Sequence, residues 1–127
     1  MERIGPIMPI EGPNKSSKVP YSRSLYLDCA DKVLIDSGAD PKSLLQIEKE
    51  NGIQLIMNTH YHPDHTSHNY LFPNAEKLIN PIEYETAQSI EGIARANGVY
   101  QEWGPKGVET WKQNLPSRWV KSLGQLT

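Results

Sequence analysis

Three histidines and one aspartate lie within six consecutive positions, 60 to 65, and are the residues of this chain best suited to chemistry. Imidazole nitrogens and carboxylate oxygens are the ligands that zinc and similar divalent metals prefer. Because alternate side chains of an extended segment point the same way, His60 and His62 are predicted to bind one metal ion. Asp64 and His65 follow them and are predicted to help bind a second ion. The spacing therefore predicts a metal site, with a solvated polar loop as the alternative.

The polar side chains around this cluster are given less direct roles. His68 lies one helical turn after His65, so it is interpreted either as a structural histidine or as a spare metal ligand. Thr59 is interpreted as the end of a strand, and Tyr61 as a side chain that packs beside that strand. All four histidines of the chain lie at positions 60 to 68, and this clustering favours a metal site over a chance distribution.

The segment before the cluster begins with a predicted β-hairpin. Residues 24–29 and 32–36 are rich in strand-forming residues and flank a tight turn. The proline- and glycine-rich segment 5–20 is predicted to hold an edge strand at most. The single cysteine, Cys29, is predicted to be buried and inert at the end of an apolar strand. A chain that cannot form an internal disulfide suits a reducing compartment, so the cytoplasm is the expected location.

A helix and a second strand are predicted between the hairpin and the histidines. The helix is predicted to begin at Asp40-Pro41, with the aspartate as its cap, and to end at Gly52. Its buried side is predicted to comprise Leu44, Leu45 and Ile47. The apolar run 53–57 predicts a strand that is covered on both sheet faces. Strand, helix and strand form a βαβ unit, and ligand groups gather at the carboxyl ends of such strands.

The segments after the cluster are predicted to be short. Residues 66–71 are predicted to form a helix, and residues 76–79 a strand. Asn80 is predicted to cap the next helix, with Glu83 placed to complete a capping box. The packed side of that helix is predicted to comprise Tyr84, Ala87 and Ile90.

Three tryptophans recur every eight residues near the end of the chain, at positions 103, 111 and 119. They are predicted to be core or interface residues, with a substrate entrance as the alternative. One helical face is predicted to comprise Val108, Trp111 and Leu115. Pro116 is expected to interrupt any continuous helix there.

The order His-x-His-x-Asp-His after a buried strand resembles the signature of the metallo-β-lactamase superfamily. Residues 32–38, which end in Asp36, a small residue and a glycine, resemble the earlier strand of that family. Asn69 also fits the family pattern, whereas residues 66–68 replace the small residues that are usual there. The resemblance covers roughly residues 20 to 90.

The resemblance implies an α/β (α+β) fold, namely the amino-terminal half of an αββα sandwich with a mixed sheet and flanking helices. The 127 residues are predicted to form a single partial domain of this kind. It would comprise an irregular segment or edge strand at 1–20, a motif-bearing core at 21–91 and a helical, aromatic-containing tail at 92–127. A complete family site has a further histidine ligand downstream. Since no histidine follows His68, the chain is predicted to correspond to the first half only.

The resemblance also implies a metal-dependent hydrolase. His60 and His62 would bind a first metal, and Asp64 and His65 a second; one or two zinc ions are expected, with iron or manganese as alternatives. A metal-activated water would attack an ester, thioester, lactam or phosphodiester, while Asp64 takes up the released proton. Asp36 is predicted to support catalysis by accepting a hydrogen bond from a ligand histidine, or else to cap a turn. Because downstream ligands are missing, turnover is predicted to be slow or absent.

Other classes of protein compete with the hydrolase. A half-sandwich leaves one apolar sheet face uncovered, which would suit a non-catalytic, metal-binding half-domain that self-associates; a homo-oligomer, a dimer, is expected. An amidohydrolase-type barrel also places His-x-His at a strand end, but it needs more than ~200 residues. A net charge of -2 and 37% hydrophobic residues are typical of a soluble globular chain, so no membrane partner is expected and a nucleic-acid partner is not favoured. The small-molecule substrate is what the family resemblance implies.

Overall fold

The computed structural model describes residues 3–13, 21–115 and 117–126. These residues form a mixed five-stranded sheet in the order β1-β2-β3-β4-β5. The strands are β1 Ile7–Ile10, β2 Ser24–Asp28, β3 Lys32–Ile35, β4 Leu55–Asn58 and β5 Glu76–Ile79. The first three strands pair antiparallel, and β3, β4 and β5 pair parallel. The predicted α/β class with a mixed sheet and flanking helices is confirmed.

In the part of the chain that the structure describes, six helices accompany the sheet. They are α1 Pro41–Glu50, α2 Pro63–Thr66, α3 Pro81–Tyr84, α4 Ile90–Ala96, α5 Val99–Gln113 and α6 Ser117–Ser122. Short 3-10 turns lie at Asn69–Leu71 and Thr86–Gln88. Within the described ranges, no helix is long and apolar enough to span a lipid bilayer.

The hairpin of β2 and β3 and the edge strand β1 are present as the sequence predicted. The predicted burial of Cys29 is wrong, because this side chain is exposed. The reason lies in the turn: Asp28 pairs with Lys32 across the ladder, and their side chains form an ion pair that closes the hairpin. Cys29 therefore lies beyond the last paired residue, in the turn itself.

Helix α1 covers one face of the sheet. Leu44 and Ile47 are buried, as predicted, but Leu45 is 43% exposed because it is rotated by about 100° from its neighbour around the helix. Asp40 is the N-cap residue, yet its side chain does not bond a backbone N–H; its Oδ2 accepts from the Ser43 hydroxyl at 2.9 Å. Gly52 follows the helix with a φ of +87°, as expected for a glycine after a helix end.

The two faces of the sheet differ in their cover. Tyr26, Leu34 and Ile56 lie side by side in register and are fully buried beneath α1. On the opposite face Met57 is 45% exposed. The prediction that this strand is covered on both faces is therefore wrong, because no described element packs over the Met57 side strongly enough to bury it.

Lys77 on β5 extends the row of buried residues formed by Tyr26, Leu34 and Ile56, because it is the register partner of Ile56. It is the polar residue of that row. Its ammonium donates to the carbonyl oxygens of Phe72, at 2.5 Å, and Ala75, at 3.0 Å. Burial lowers the pKa of Lys77 because the charged form loses hydration. The backbone carbonyls of the preceding turn partly replace that hydration.

The region after β5 is broken into shorter helices than predicted. Asn80 caps α3 by accepting from the Ile82 backbone N–H at 2.9 Å, as predicted. Ala87 is buried, but Tyr84 is 38% exposed, so the predicted packed side is only partly correct. The helix ends at Tyr84 and a 3-10 turn follows, so the helical spacing from Tyr84 to Ala87 does not persist.

The three tryptophans have different environments. Trp119 is buried and Trp111 packs against the small cluster of Ala94, Val99 and Val108, as expected for core residues. Trp103 is 57% exposed, so the core prediction is wrong for it. The helix α5 breaks at Gly104, where φ is 67° and ψ is 179°, directly after Trp103, so a continuous helical spacing does not relate Trp103 to Val108 and Trp111.

Candidate metal centre

The histidine loop, residues 59–62, connects the carboxyl end of β4 to the start of α2. His62 is the N-cap residue of α2, and Pro63 occupies the first helical position, where no backbone N–H is needed. Thr66 donates its hydroxyl to the His62 carbonyl at 3.1 Å. The predicted helix at 66–71 is thus shifted: α2 begins earlier, ends at Thr66, and a 3-10 turn occupies 69–71. As a result, Asp64 lies in the first turn of a helix that begins directly after the histidine loop.

His60, His62 and Asp64 form a compact group of potential ligands. Each offers one nitrogen or oxygen atom, and these atoms all lie within 4.8 Å of one another. Two atoms bound to one tetrahedral zinc at about 2.0–2.2 Å are roughly 3.3–3.6 Å apart. Small rotations of the side chains therefore suffice for all three to reach one ion. Their imidazole and carboxylate donors fit zinc, and they also suit iron or manganese.

His65 lies directly beside this group. Its Nε2 is 3.3 Å from Asp64 Oδ2, and its ring centre is 4.1 Å from that of His60. The sequence assigned Asp64 and His65 to a second ion, separate from His60 and His62. In the structure the Asp64 carboxylate lies close to His60 and His62 as well as to His65, so it could contribute to either metal position. The four predicted ligand residues are brought together, and their individual roles remain predictions.

Asp36 lies beneath the histidine loop at the end of β3. It is 5% exposed, and its backbone adopts the left-handed region with a φ of +62°. Its Oδ1 accepts from the Thr59 backbone N–H at 2.7 Å, and its Oδ2 lies 2.8 Å from both Thr59 Oγ1 and His65 Nδ1. The predicted contact between Asp36 and a histidine of the motif is therefore present. A left-handed non-glycine residue held by three such contacts is common at functional sites.

Gly38 brings the start of α2 against the end of β3. A Cβ atom at this position would lie 1.6 Å from the Asp64 carbonyl oxygen, so only glycine fits. The Ser22 hydroxyl donates to the same carbonyl oxygen, and the Ser37 backbone N–H donates to the His65 carbonyl at 2.9 Å. These contacts hold Asp64 and His65 in place through their backbone, which leaves their side chains available to a ligand.

A buried polar network supports the site from below. Asn69 accepts from the Ser37 hydroxyl at 2.7 Å and donates to Asn58 Oδ1 at 2.7 Å. Asn58 in turn donates to the His65 carbonyl at 3.2 Å. Sequence reasoning did not single out Asn58, although an amide in an otherwise apolar strand is a signal, because a buried amide requires partners.

His68 belongs to this network. It is fully buried, and its Nδ1 lies 2.7 Å from the Ser37 carbonyl oxygen. A carbonyl only accepts, so Nδ1 carries the proton and donates. Of the two interpretations of His68, this contact supports the structural histidine over the spare ligand.

Residues of the carboxy-terminal helices, α4 to α6, hold the histidine loop from outside. The backbone carbonyl of Tyr61 accepts from Trp119 Nε1 at 3.2 Å, and the Tyr61 hydroxyl donates to Asn97 at 2.9 Å. Glu83, preceding these helices, accepts from the Tyr61 backbone N–H at 3.2 Å. The capping box predicted for Glu83 is wrong, because this carboxylate bonds the histidine loop instead of its own helix start. No local sequence pattern indicates these contacts.

The fold and the ligand group together define an α/β domain with a candidate metal-binding cluster. The sequence profile of the metallo-beta-lactamase superfamily matches residues 21–116. The chain therefore belongs to the metallo-beta-lactamase superfamily, as its histidine motif predicted. No curated protein matches the sequence, so no individual relative indicates a substrate.

Proposed function

We propose that this chain is a metal-dependent hydrolase that binds one or two zinc ions through His60, His62, Asp64 and His65. The observation that carries the proposal is the convergence of His60, His62 and Asp64 within 4.8 Å at the carboxyl end of β4. Three protein ligands are the number that hydrolytic zinc sites typically use. Iron and manganese are the alternative ions, since the same donor atoms suit them.

The residues of the site have distinct roles in this proposal. A bound divalent metal polarises the substrate oxygen and lowers the pKa of water to about 7, which supplies a nucleophile at neutral pH. Asp64 receives the proton that is released when this nucleophile attacks an ester, thioester, lactam or phosphodiester of a small molecule. Asp36 accepts a hydrogen bond from His65 Nδ1, which leaves Nε2 of that ring available to the metal.

The proposal is tested by metal binding in the double variant His60→Ala/His62→Ala. Calorimetry and elemental analysis should show loss of zinc binding, because two of the three grouped ligands are removed. Cys29 is exposed and could bind zinc on its own, so the test is made in a Cys29→Ser background. The Cys29→Ser chain with the intact histidines should retain its zinc. Unchanged zinc stoichiometry in the double variant would contradict the assignment.

Turnover is tested separately, with ester, thioester, lactone and phosphodiester substrates and added zinc, manganese or iron. Slow turnover that disappears in Asp64→Ala is the expected result. Zinc binding without any turnover would instead support the non-catalytic half-domain, because metal would then serve structure or association.

The second candidate, a self-associating metal-binding half-domain, is supported by the uncovered face of the sheet. Five residues form a row across the strands in register: Pro9, Leu25, Ile35, Met57 and Leu78. The neighbouring row comprises Ile7, Leu27, Val33, Leu55 and Glu76. Leu25, Met57 and Leu78 are 39–45% exposed, and the charged residue of the two rows lies on the outer strand β5. A second copy of the chain has the same two apolar rows. When the two faces pair, no like charges meet at the centre of the contact.

We therefore propose a homodimer that pairs these faces, and a charge placed at the centre should disrupt it. Met57→Lys is expected to shift the chain to monomer in analytical ultracentrifugation at tens of micromolar, while Met57→Leu should remain dimeric. The substitution lies on the exposed side of β4, so the buried row stays intact. A monomeric wild-type chain at this concentration would refute the dimer without affecting the metal site.

A further inference from the structure

The Thr59 hydroxyl lies between the buried carboxylate and the first histidine of the motif. Its Oγ1 is 2.8 Å from Asp36 Oδ2 and 2.9 Å from His60 Nδ1. Both distances are those of hydrogen bonds. The sequence suggested only that Thr59 ends a strand, and this end is already secured by its backbone N–H, which donates to Asp36 Oδ1 at 2.7 Å. The hydroxyl is thus not required for the turn and can serve another role.

The direction of the two hydrogen bonds follows from counting protons. A threonine hydroxyl carries one proton, and an ionised carboxylate can only accept. The hydroxyl proton therefore points to Asp36, and the contact to His60 must be made by a proton on the histidine. In its neutral form, the His60 ring then donates from Nδ1 to the Thr59 oxygen and carries no proton on Nε2.

We propose that Thr59 is a positioning residue that sets the tautomer of His60 for metal binding. This inference rests on the proposed function, in which His60 is a metal ligand. Asp36 already accepts from His65 Nδ1 at 2.8 Å, so the same carboxylate oxygen presets two rings. It acts directly on His65 and through the Thr59 hydroxyl on His60, and in both rings it leaves Nε2 available to the metal.

The tautomer has an energetic consequence. A ring whose proton must move before the metal can bind loses affinity, and partners of this kind typically contribute 10- to 100-fold in metal affinity. Removing only the hydroxyl should weaken zinc binding within that range. The rest of the site should keep its geometry because the backbone contact to Asp36 remains.

Thr59→Val is the critical variant, because it has nearly the same shape and keeps the backbone N–H. Thr59→Ser is its matched control, since it restores the hydroxyl without the methyl group. Long-range ¹H–¹⁵N spectra of the imidazole rings are recorded on metal-free protein near pH 8, where an ordinary imidazole, with a pKa of ~6.5, is neutral. Wild type and Thr59→Ser should show His60 protonated on Nδ1, and Thr59→Val should show a shift towards protonation on Nε2. His65 should be unchanged in all three.

Zinc affinity is then measured by competition with a chelator. Thr59→Val should bind about 10-fold more weakly or worse, and Thr59→Ser should recover most of the loss. If Thr59→Val does not fold, Thr59→Ala removes the same hydroxyl. The wild-type spectrum alone is also decisive, because a His60 ring protonated on Nε2 would overturn the proposal. So would an unchanged tautomer and affinity in Thr59→Val. A chain that binds no zinc would overturn the proposed function, whereas the spectra need no metal and still test the role of Thr59.

Discussion

The sheet with α1 and the carboxy-terminal helices are stabilised in different ways. Between the sheet and α1 lies a continuous buried cluster, which includes Tyr26, Leu34, Leu44, Ile56 and Phe72. The carboxy-terminal helices have a smaller cluster of Ala94, Val99 and Val108, with Trp111 partly covering it, and Ile93 and Trp119 are buried outside this cluster. Their connections to the rest of the molecule include polar contacts to the histidine loop and α2, such as Ser122 Oγ donating to the Ser67 carbonyl at 3.0 Å.

The two regions therefore contribute differently to the site: the sheet region forms its base, and the carboxy-terminal helices dock on the histidine loop from outside. The sheet, Gly38 and the amide network hold Asp64 and His65 through their backbone, whereas the later helices contact the histidine loop at Tyr61. The helices in turn depend on docking, because a cluster of three small or medium side chains contributes little hydrophobic stabilisation, about 0.8 kcal/mol per buried methylene. We expect the carboxy-terminal helices to open locally at a lower free energy than the sheet.

The largest effect is expected from Gly38→Ala, in the sheet region. The new Cβ would lie 1.6 Å from the Asp64 carbonyl oxygen, so α2 must move away from β3. We expect a loss of more than ~3 kcal/mol in the free energy of unfolding, measured with urea, and loss of zinc binding.

The matched control for this substitution lies in the carboxy-terminal helices. Gly104 has a φ of +67°, but a Cβ there would meet no described atom within 4 Å. Because φ 67° with ψ 179° is a conformation that essentially only glycine adopts, Gly104→Ala should cost about 1–3 kcal/mol from backbone strain alone and leave zinc binding unchanged. Equal stability of the two variants would show that the contact at Gly38 does not position α2.

An intermediate effect is expected from Trp119→Phe, which weakens the docking of α6 on the histidine loop. The buried indole loses its hydrogen bond to the Tyr61 carbonyl, and a loss of about 1–2 kcal/mol is expected. Hydrogen exchange should become faster in α4 to α6 and in the loop, but not in β2, β3 and β4.

Trp103→Phe is the control for that measurement, because Trp103 is 57% exposed on α5. Its effect should stay within about 0.5 kcal/mol. If Trp119→Phe instead accelerated exchange throughout the sheet, the two regions would unfold as one unit and the comparison would fail.

The smallest effect concerns the ion pair of Glu91 and Lys112, which joins α4 to α5. The Lys112 ammonium, followed by the Tyr100 hydroxyl, lowers the pKa of Glu91. A carboxyl group with a lowered pKa in the folded state stabilises the fold above its unfolded pKa of about 4.3, and this contribution is lost as the pH falls through the folded value. Thermal unfolding should show wild type slightly more stable than Glu91→Gln at pH 7, with the difference vanishing in acid.

Glu102→Gln, an exposed glutamate on α5, controls for the general loss of one negative charge. High salt should reduce the Glu91 effect as well, because exposed pairs are screened. A difference between wild type and Glu91→Gln that persisted unchanged below the folded pKa would show that the charge is not its source.

The features that could be predicted from the sequence are those that depend on residues close together in the chain. The hairpin, α1 and β5 follow from periodicity and turn residues, and the grouping of His60, His62 and Asp64 follows from their closeness in the chain. The role of Asp36 as a hydrogen-bond acceptor for a ligand histidine was predicted from the family resemblance rather than from the local sequence pattern.

The errors share two physical causes. Leu45 was misplaced because a step of one residue rotates a side chain by about 100° around a helix. Cys29 was misplaced because it lies one residue beyond the end of β2. Tyr84 was misplaced because α3 ends at this residue, and the core prediction failed for Trp103, which directly precedes the break at Gly104. The polar contacts of Trp119, Glu83 and Asn58 join residues that are distant in the chain or oriented by the fold, and no spacing rule anticipates such pairs.

The backbone of Asp36 also bears on how easily this site is lost in evolution. Its left-handed conformation restricts this position chiefly to glycine, asparagine and aspartate. Both alternatives are one base change away from an aspartate codon. Asparagine keeps this backbone conformation and an oxygen that can accept from the Thr59 N–H, but it lacks the carboxylate's charge, whereas glycine loses the acceptor as well. A gene under selection for folding alone could therefore drift to asparagine at this position, so retention of aspartate there reports selection on the chemistry rather than on the fold.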